Sequence, residues 1–320
     1  MLGEALERQA DVTWIVGGRR ARAVSALRWL LTCDPHAVDA AYVELSTSAV
    51  TPVDLLLLGW LRLRGRRVGI YFRDAYQLFR ALFPIRGIRQ HVADLVWRAT
   101  TPLVKRLATD TFVPSTGLAE VLGIGRPILL PPACDPDLPN IGAGTSPLVA
   151  AIATLGPSGG TALLIDAVAL VRRRVPDVRL LIIGRGVLPP PVPEWVSVTT
   201  GSRDDLPRLL GPARAVAIPL PITSYTNLAV PVRLMDLLAL GKPIVATRSR
   251  ETARLLEGHD AALLVDDRPA AMAEELERLL RDPALPERLA SNARALATTP
   301  GWRWDDRAAT VLGRLVPTSE

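Results

Sequence analysis

The stretch RLMDLLALGKPIVAT, Arg233–Thr247, decides how the chain is read. Leucine and alanine fill its first half at helical spacing. Gly241-Lys242-Pro243 then stops the helix, and a short β-branched run follows, suited to a buried strand. A helix passing directly into such a strand is a unit of a parallel sheet wrapped by helices. Arg233 and Asp236 stand apart, a cation and a carboxylate at spacing three in an apolar helix.

The residues before this stretch give the pair a setting. AVAIPL (Ala215–Leu220) reads as a strand, PITSYTN (Pro221–Asn227) as a polar loop, and the helix is expected to begin near Ala229 with Pro231 in its first turn. A helix amino end after a strand end favours an anion, through free N–H groups and the positive end of the dipole. Asp236 lies about six residues further on, roughly 9 Å along the axis at about 1.5 Å per residue. That spans the distance from a nucleotide's diphosphate to its ribose, and a carboxylate accepts from paired sugar hydroxyls. Arg233 sits one turn nearer the phosphate end. The other reading is a surface ion pair worth a few tenths of a kcal/mol; the spacing leaves both open.

The same alternation runs through all 320 residues. In the first half, DVTWIV (11–16), AAYVEL (40–45), VGIYF (68–72), TFVP (111–114) and ILLPP (128–132) read as strands. Helices are expected over 20–32, with Val24, Leu27, Leu30 and Leu31 at helical spacing, from Thr51-Pro52 to Gly65, and over 75–108 with breaks at Pro84 and Pro102. CDPDLPNIGAGTSP (134–147) reads as a linker. In the second half LVAAIATL, RLLIIG, VSVTT, AVAIPL, PIVAT and ALLVD are strands separated by helices. The expectation is an α/β chain of two doubly wound Rossmann-like domains facing a cleft. They cover residues 1–140 and 141–300, with a last helix within 301–320. Ligands of such sheets bind outside the carboxyl ends of the strands.

Composition narrows the classes. At 49% hydrophobic and 22% charged the chain is globular rather than disordered. No apolar run reaches the ~18 residues of a membrane span, and the acidic amino terminus lacks the order of a secretion signal, so a cytoplasmic protein is expected. Cys33 and Cys134 make no disulfide framework; with His36, His91 and His259 widely spaced, no metal is expected. The net charge of +6 is nearly all arginine, since Lys105 and Lys242 are the only lysines, so a nucleic-acid partner is not expected.

PVRLMDLLALGKPIVAT resembles the donor-site segment of retaining GT-B-fold glycosyltransferases, Pro-x-Lys-x-x-Glu-x-x-Ala-x-Gly-x-Pro-Val-Val. AALLVDD with the helical run after it, GGTALLIDAVALVRRRVPDVRLLIIGRG, and WRWDDRAATVLGRL extend the resemblance over most of 147–315. It implies the GT-B fold, with the terminal helix returning to the amino-terminal domain. It also implies sugar transfer from a UDP- or GDP-linked donor to a glycan, lipid-linked or small-molecule hydroxyl, with retention and without metal. Asp236 takes the place of the ribose-binding glutamate and Arg233 that of the lysine. Asn227, Leu228 and Ala229 would offer N–H groups to the diphosphate, Gly184 and Arg185 border the nucleotide, and Ser202 and Arg203 lie where the base is contacted. Three departures stand out: Asp236 is a methylene short, Leu228 replaces a glutamate, and the cations expected in the turn TLGPSGG fall on Thr154 and Gly159. Arg233, Arg185 or an amino-terminal arginine is left to compensate. A scaffold homologue without activity and an epimerase on the same fold are the alternatives, and a charge-driven binder a third.

In the first half RDAY (73–76) is the most polar strand end, so Arg73 and Asp74 are candidates for the phosphate or acceptor; Asp74 reads equally well as a helix cap. Glu44 is a weaker candidate. Gly17-Gly18-Arg19 is not a dinucleotide signature. Residues 78–106 interleave aromatics with arginines. Peripheral contact with the inner face of a membrane and domain packing with the arginines outside are both compatible with that pattern, and packing is favoured.

Overall fold

The computed structural model describes residues 1–34, 37–45 and 50–316; His36 lies outside them. The chain divides into two compact units, Met1–Pro131 with Trp304–Glu320, and Pro132–Arg303.

The first unit holds α1 (Leu2–Glu7), α2 (Arg19–Thr32), β1 (Ala40–Leu45), α3 (Pro52–Leu63), β2 (Arg67–Phe72), α4 (Ile88–Leu107), β3 (Asp110–Val113), α5 (Thr116–Leu122), β4 (Pro127–Leu129) and α12 (Trp304–Leu315). Its sheet runs β1-β2-β3-β4, all parallel. One face packs Leu58, Leu61, Trp97 and Val104 of α3 and α4 against Ile70 and Phe72. The other is closed by α1 and α12, with Leu6, Val311 and Leu315 against Phe112. The terminal helix therefore belongs to the amino-terminal unit. α3 starts where Thr51 predicts: its Oγ1 accepts from Asp54 N at 3.2 Å while Asp54 Oδ2 accepts from Thr51 N at 2.8 Å, a reciprocal cap.

Two expectations for this unit are overturned. Residues 11–16 form no strand, because no neighbour pairs with them. Trp14, 45% exposed, instead donates its indole N–H to Glu7 at 2.5 Å. Pro102 does not break α4. Trp97, Thr101 and Val104 are buried on either side of it, and that packing outweighs the backbone bond a proline forfeits. The stripe Val24-Leu27-Leu31 on α2 faces solvent, so its spacing reports a helix but not a core face.

The second unit holds β5 (Ser146–Ile152), α6 (Thr161–Arg172), β6 (Arg179–Ile183), β7 (Val196–Thr199), α7 (Leu206–Leu210), β8 (Ala213–Ile218), α8 (Val232–Ala239), β9 (Ile244–Thr247), α9 (Arg250–Leu256), β10 (Leu263–Val265), α10 (Pro269–Arg281) and α11 (Leu285–Thr298). The sheet order is β10-β9-β8-β5-β6-β7, all parallel. Counted from the unit's first strand this is the doubly wound order, and it reverses direction between β5 and β8. Val149 and Ala151 face one core with Leu164, Val168 and Leu276 of α6 and α10. Ala150 and Val216 face the other with Leu234, Leu238 and Ala293 of α8 and α11. Lys242, expected only as part of a helix stop, is wholly buried and donates its ammonium to the carbonyls of Gly142 and Ala213, both at 2.7 Å.

Candidate functional site

The reversal point of a doubly wound sheet opens a crevice at the carboxyl ends of its central strands, because the helices leave in opposite directions. In the second unit those ends are Ile152 on β5 and Ile218 on β8. Three segments meet there: the β5–α6 turn, the β8–α8 loop and the first turn of α8.

The β5–α6 turn is folded tightly on itself. A Cβ on Gly159 would stand 1.7 Å from the Thr154 carbonyl oxygen. The lysine or arginine that the resemblance puts at this position therefore has no room. Gly184, at the end of β6, packs just as closely: its Cβ would lie 1.8 Å from the Ala153 oxygen. Leu155 N donates to the Arg185 carbonyl at 3.0 Å, which ties this turn to the β6 end, while the Arg185 side chain is exposed.

Arg233 supplies a cation beside the turn. Its Nη1 donates to the carbonyl of Ile152, the last residue of β5, and burial lowers its guanidinium from the ordinary arginine value. It does not pair with Asp236, which settles that alternative. Asp236 instead accepts from Arg203 Nε at 2.8 Å, and Arg203 Nη1 donates to Asp135 at 2.9 Å. Burial raises Asp236 above the ordinary carboxylate range, with Arg203 pulling it back and Asp135 adding to the rise. Burial works to lower Arg203, but Asp236 and Asp135 outweigh it and hold the guanidinium up. Arg203 Nη2 is buried and has no acceptor.

The loop departs from expectation. α8 begins at Val232, not near Ala229, with Pro231 as its N-cap at φ −67° and no side-chain cap. The N–H groups of Asn227, Leu228 and Ala229 are spent inside the loop on Thr223, Tyr225 and Thr226 carbonyls at 3.1, 2.9 and 3.3 Å. They are not offered to a diphosphate. Asn227 caps α9 instead, its Oδ1 accepting from Arg250 N at 3.0 Å, and Leu228 is buried. Thr226 closes the loop by donating to the Pro221 carbonyl at 2.6 Å, and Asp267 holds Ile222 N at 2.9 Å. The amino end of α8 is the uncapped turn Val232–Arg233, whose N–H groups have no intrahelical acceptor. Ser202 is engaged locally, its N and Oγ both donating to Asp205 Oδ2 at 2.8 Å.

Sequence reading missed Asp135 and Asp267. Both stand in segments read as a linker or a strand end, and only the fold brings them to Arg203 and the loop. A cavity of about 360 Å³ lined by Ser146, Leu148, Arg179, Leu181, Trp195 and Ser197 lies at the opposite, amino ends of β5, β6 and β7. Among the described residues no group of three or more His, Cys, Asp or Glu is placed to hold a metal ion.

In the first unit Arg73 is exposed at the end of β2 and Asp74 is half-buried. The capping alternative for Asp74 fails. The following 3₁₀ turn, Tyr76–Leu78, has Ala75 as N-cap with no side-chain bond, and Asp74 Oδ1 is buried without a partner. Burial pushes Asp74 up to about 6, opposed by Arg73. Glu44 stands opposite Tyr71 in the strand register and is exposed.

Residues 146–282, the sheet and helices around this crevice, match the family model described as Glycosyl transferases group 1. The chain has the GT-B fold. A curated relative, an alpha-D-kanosaminyltransferase of Streptomyces kanamyceticus, is 26% identical over 166 residues, 48% of this chain and 42% of the relative. The match thus spans less than half of that relative's length. Among solved structures, Anabaena HepE in complex with UDP and glucose superposes with a TM-score of 0.65 at 17% identity, over 92% of this chain and 81% of that one. A glycosyltransferase from Rickettsia africae gives 0.66 at 10% identity, over 99% and 88%. At these identities the likeness is one of fold. It agrees with the two parallel-sheet units, and the GT-B switch point of the second unit falls inside the family match.

Proposed function

We propose that this GT-B protein moves a sugar from a nucleoside-diphosphate donor to an acceptor hydroxyl, with retention of anomeric configuration and without a metal ion. The observation that carries the reading is Arg233 against the end of β5, one residue into a helix whose amino end has no cap. A cation and a helix dipole converge at the crevice of the second unit, inside the matched residues 146–282. They would meet the charge that grows on a departing diphosphate, the task a divalent ion performs elsewhere. Asp236 would hold the ribose through the carboxylate oxygen that Arg203 leaves open. UDP is the first nucleotide to test, because the HepE complexes hold UDP and UDP-glucose, with GDP second. Asp74, poised near 6, suits contact with an acceptor hydroxyl, be it on a glycan, a lipid-linked sugar or a small molecule. A nucleotide-sugar donor fits a reaction in the cytoplasm, where such donors are made.

Calorimetry with UDP and GDP, followed by incubation with the matching nucleotide sugars, tests this. The expected result is binding, slow donor hydrolysis insensitive to EDTA, and an α-linked product from an α-linked donor by NMR. One observation favours a second reading, a binding subunit without turnover: the ribose-side carboxylate is already engaged by Arg203. Nucleotide binding with no hydrolysis and no transfer selects that reading, and no binding to any nucleotide defeats both.

A further inference from the structure

Three helices of the first unit lie side by side on one face of its sheet, α2 against α3 and α3 against α4. Each presents an apolar stripe to solvent. On α4 Ile88, Val92, Leu95 and Leu103 recur at helical spacing, and Ile88 is 83% exposed. On α2 Val24, Leu27 and Leu31 do the same, Leu31 at 79%. On α3 Leu56 and Leu63 face outward. This is not the habit of the chain: in the second unit α10 and α11 turn Leu276, Leu279, Leu289 and Leu296 inward. The expected packing of residues 78–106, apolar side chains inward and arginines outward, is found for Trp97 and Val104, but a second apolar stripe on α4 faces outward as well.

Charge identifies what the face fits. Arg20 and Arg28 flank the α2 stripe, and Arg86, Arg89 and Arg106 flank that of α4; all are exposed. The three helices carry two carboxylates, and both turn inward to arginines: Asp54 to Arg22 at 2.9 Å, and Asp94 to Arg98 at 2.9 Å and to Arg80. The outer face is thus apolar and basic with no acid. A second copy of the same face would meet it with like charge. An anionic lipid surface offers apolar depth beneath phosphate, which matches both features.

We propose that the outer face of α2, α3 and α4 seats the protein on an anionic lipid bilayer, with the leucines and valines in the headgroup boundary and the arginines on phosphates. This inference is independent of the sugar-transfer reading, since it uses no residue of the crevice. Flotation of the full chain with vesicles tests it. Vesicles of equimolar phosphatidylcholine and phosphatidylglycerol should carry the protein up, and pure phosphatidylcholine should not. High salt should release it. Arg86→Gln with Arg89→Gln should weaken binding about 25-fold, about five-fold for each charge. Ile88→Glu with Leu95→Glu should abolish it. Val24→Glu with Leu31→Glu should act likewise from the other helix, so that a folding defect in one pair does not decide the matter. Val187→Glu, at an exposed position of the second unit, should float as before. Failure to float, equal flotation on neutral vesicles, or flotation untouched by both glutamate pairs overturns the proposal. So does a dimer in sedimentation that the glutamate pairs dissociate.

Discussion

Arg203 stands between two carboxylates, and removing it should cost more than removing either one. Its Nε reaches Asp236 at 2.8 Å and its Nη1 reaches Asp135 at 2.9 Å, with the three side chains 30%, 16% and 26% exposed. A hydrogen bond to a charged group is worth ~1.5–3 kcal/mol when well buried, and partial exposure cuts that to about 1 kcal/mol each here. Asp236→Ala forfeits one such bond, relieves a carboxylate of its burial and leaves Arg203 with Asp135. Its net cost should be about 1 kcal/mol or less. Arg203→Ala forfeits both bonds and leaves Asp135 and Asp236 facing each other, adding about 1 kcal/mol of repulsion. Its cost should be about 2–4 kcal/mol. The pH dependence has a definite sign. Asp236 already binds its proton more tightly in the folded protein than an ordinary aspartate does, and without Arg203 it binds it more tightly still. The folded variant then takes up a proton that the unfolded chain does not, so its stability rises as the pH falls toward the carboxylate range. Urea unfolding of wild type, both single variants and Arg203→Ala with Asp236→Asn measures this. The Asn change should restore part of the loss near pH 7. Equal costs for Arg203→Ala and Asp236→Ala, or a deficit that does not shrink on acidification, would refute the bridging role of Arg203.

Two further outcomes follow from buried groups. Lys242 has its pKa lowered to about 8 by burial, against 10.5 ordinarily. Between those values the folded lysine has lost a proton that the unfolded one keeps, so this residue's contribution to stability increases with rising pH, by at most about 3 kcal/mol. Urea midpoints of Lys242→Met should therefore fall further behind wild type from about pH 8 to about pH 10. The variant should start about 1–3 kcal/mol lower, because two carbonyls lose their donor. Gly159→Ala would push a methyl against the Thr154 oxygen and open the β5–α6 turn; a loss of about 1–3 kcal/mol in melting and a weaker UDP titration are expected.

Periodicity and punctuation were enough to read the second unit. Its central strands are near-continuous Val/Ile/Leu/Ala runs buried on both faces, while the edge strand β7 is partly exposed, so local chemistry and tertiary burial agree in the core. The first unit was less legible because the same signals there do not coincide with burial. DVTWIV has the composition of a strand and no partner. The α2 and α4 stripes have the spacing of a core face and look outward, since a period of 3.6 fixes that a face exists and not which way it turns. The start of α8 was misplaced by three residues because the TSYTNLA segment satisfies its own backbone through Thr223 and Thr226. That competition between side chain and helix follows from the spacing of the two threonines once the loop is seen, but no periodic signal announces it.

The site was least legible where long-range hydrogen bonds choose the partner. Arg233 and Asp236 are neighbours on a helix, yet one reaches a carbonyl 81 residues away and the other an arginine 33 residues away. Spacing predicted the pair and could not predict its divergence. The same geometry changes the meaning of the cations missing from TLGPSGG. Position 159 has no space for any side chain, so a cation cannot stand in the turn without a different backbone. The positive charge comes from beneath, on the helix, against the last carbonyl of β5. The turn has no room for a cation, and Arg233, standing where the pattern has its helix lysine, is the cation beside it. Arg233→Met, which keeps the apolar stem and removes the charge, should then cost nucleotide affinity heavily and melting temperature little. An Arg233→Met protein that binds UDP as well as wild type would show that this helix cation has no part in holding the diphosphate.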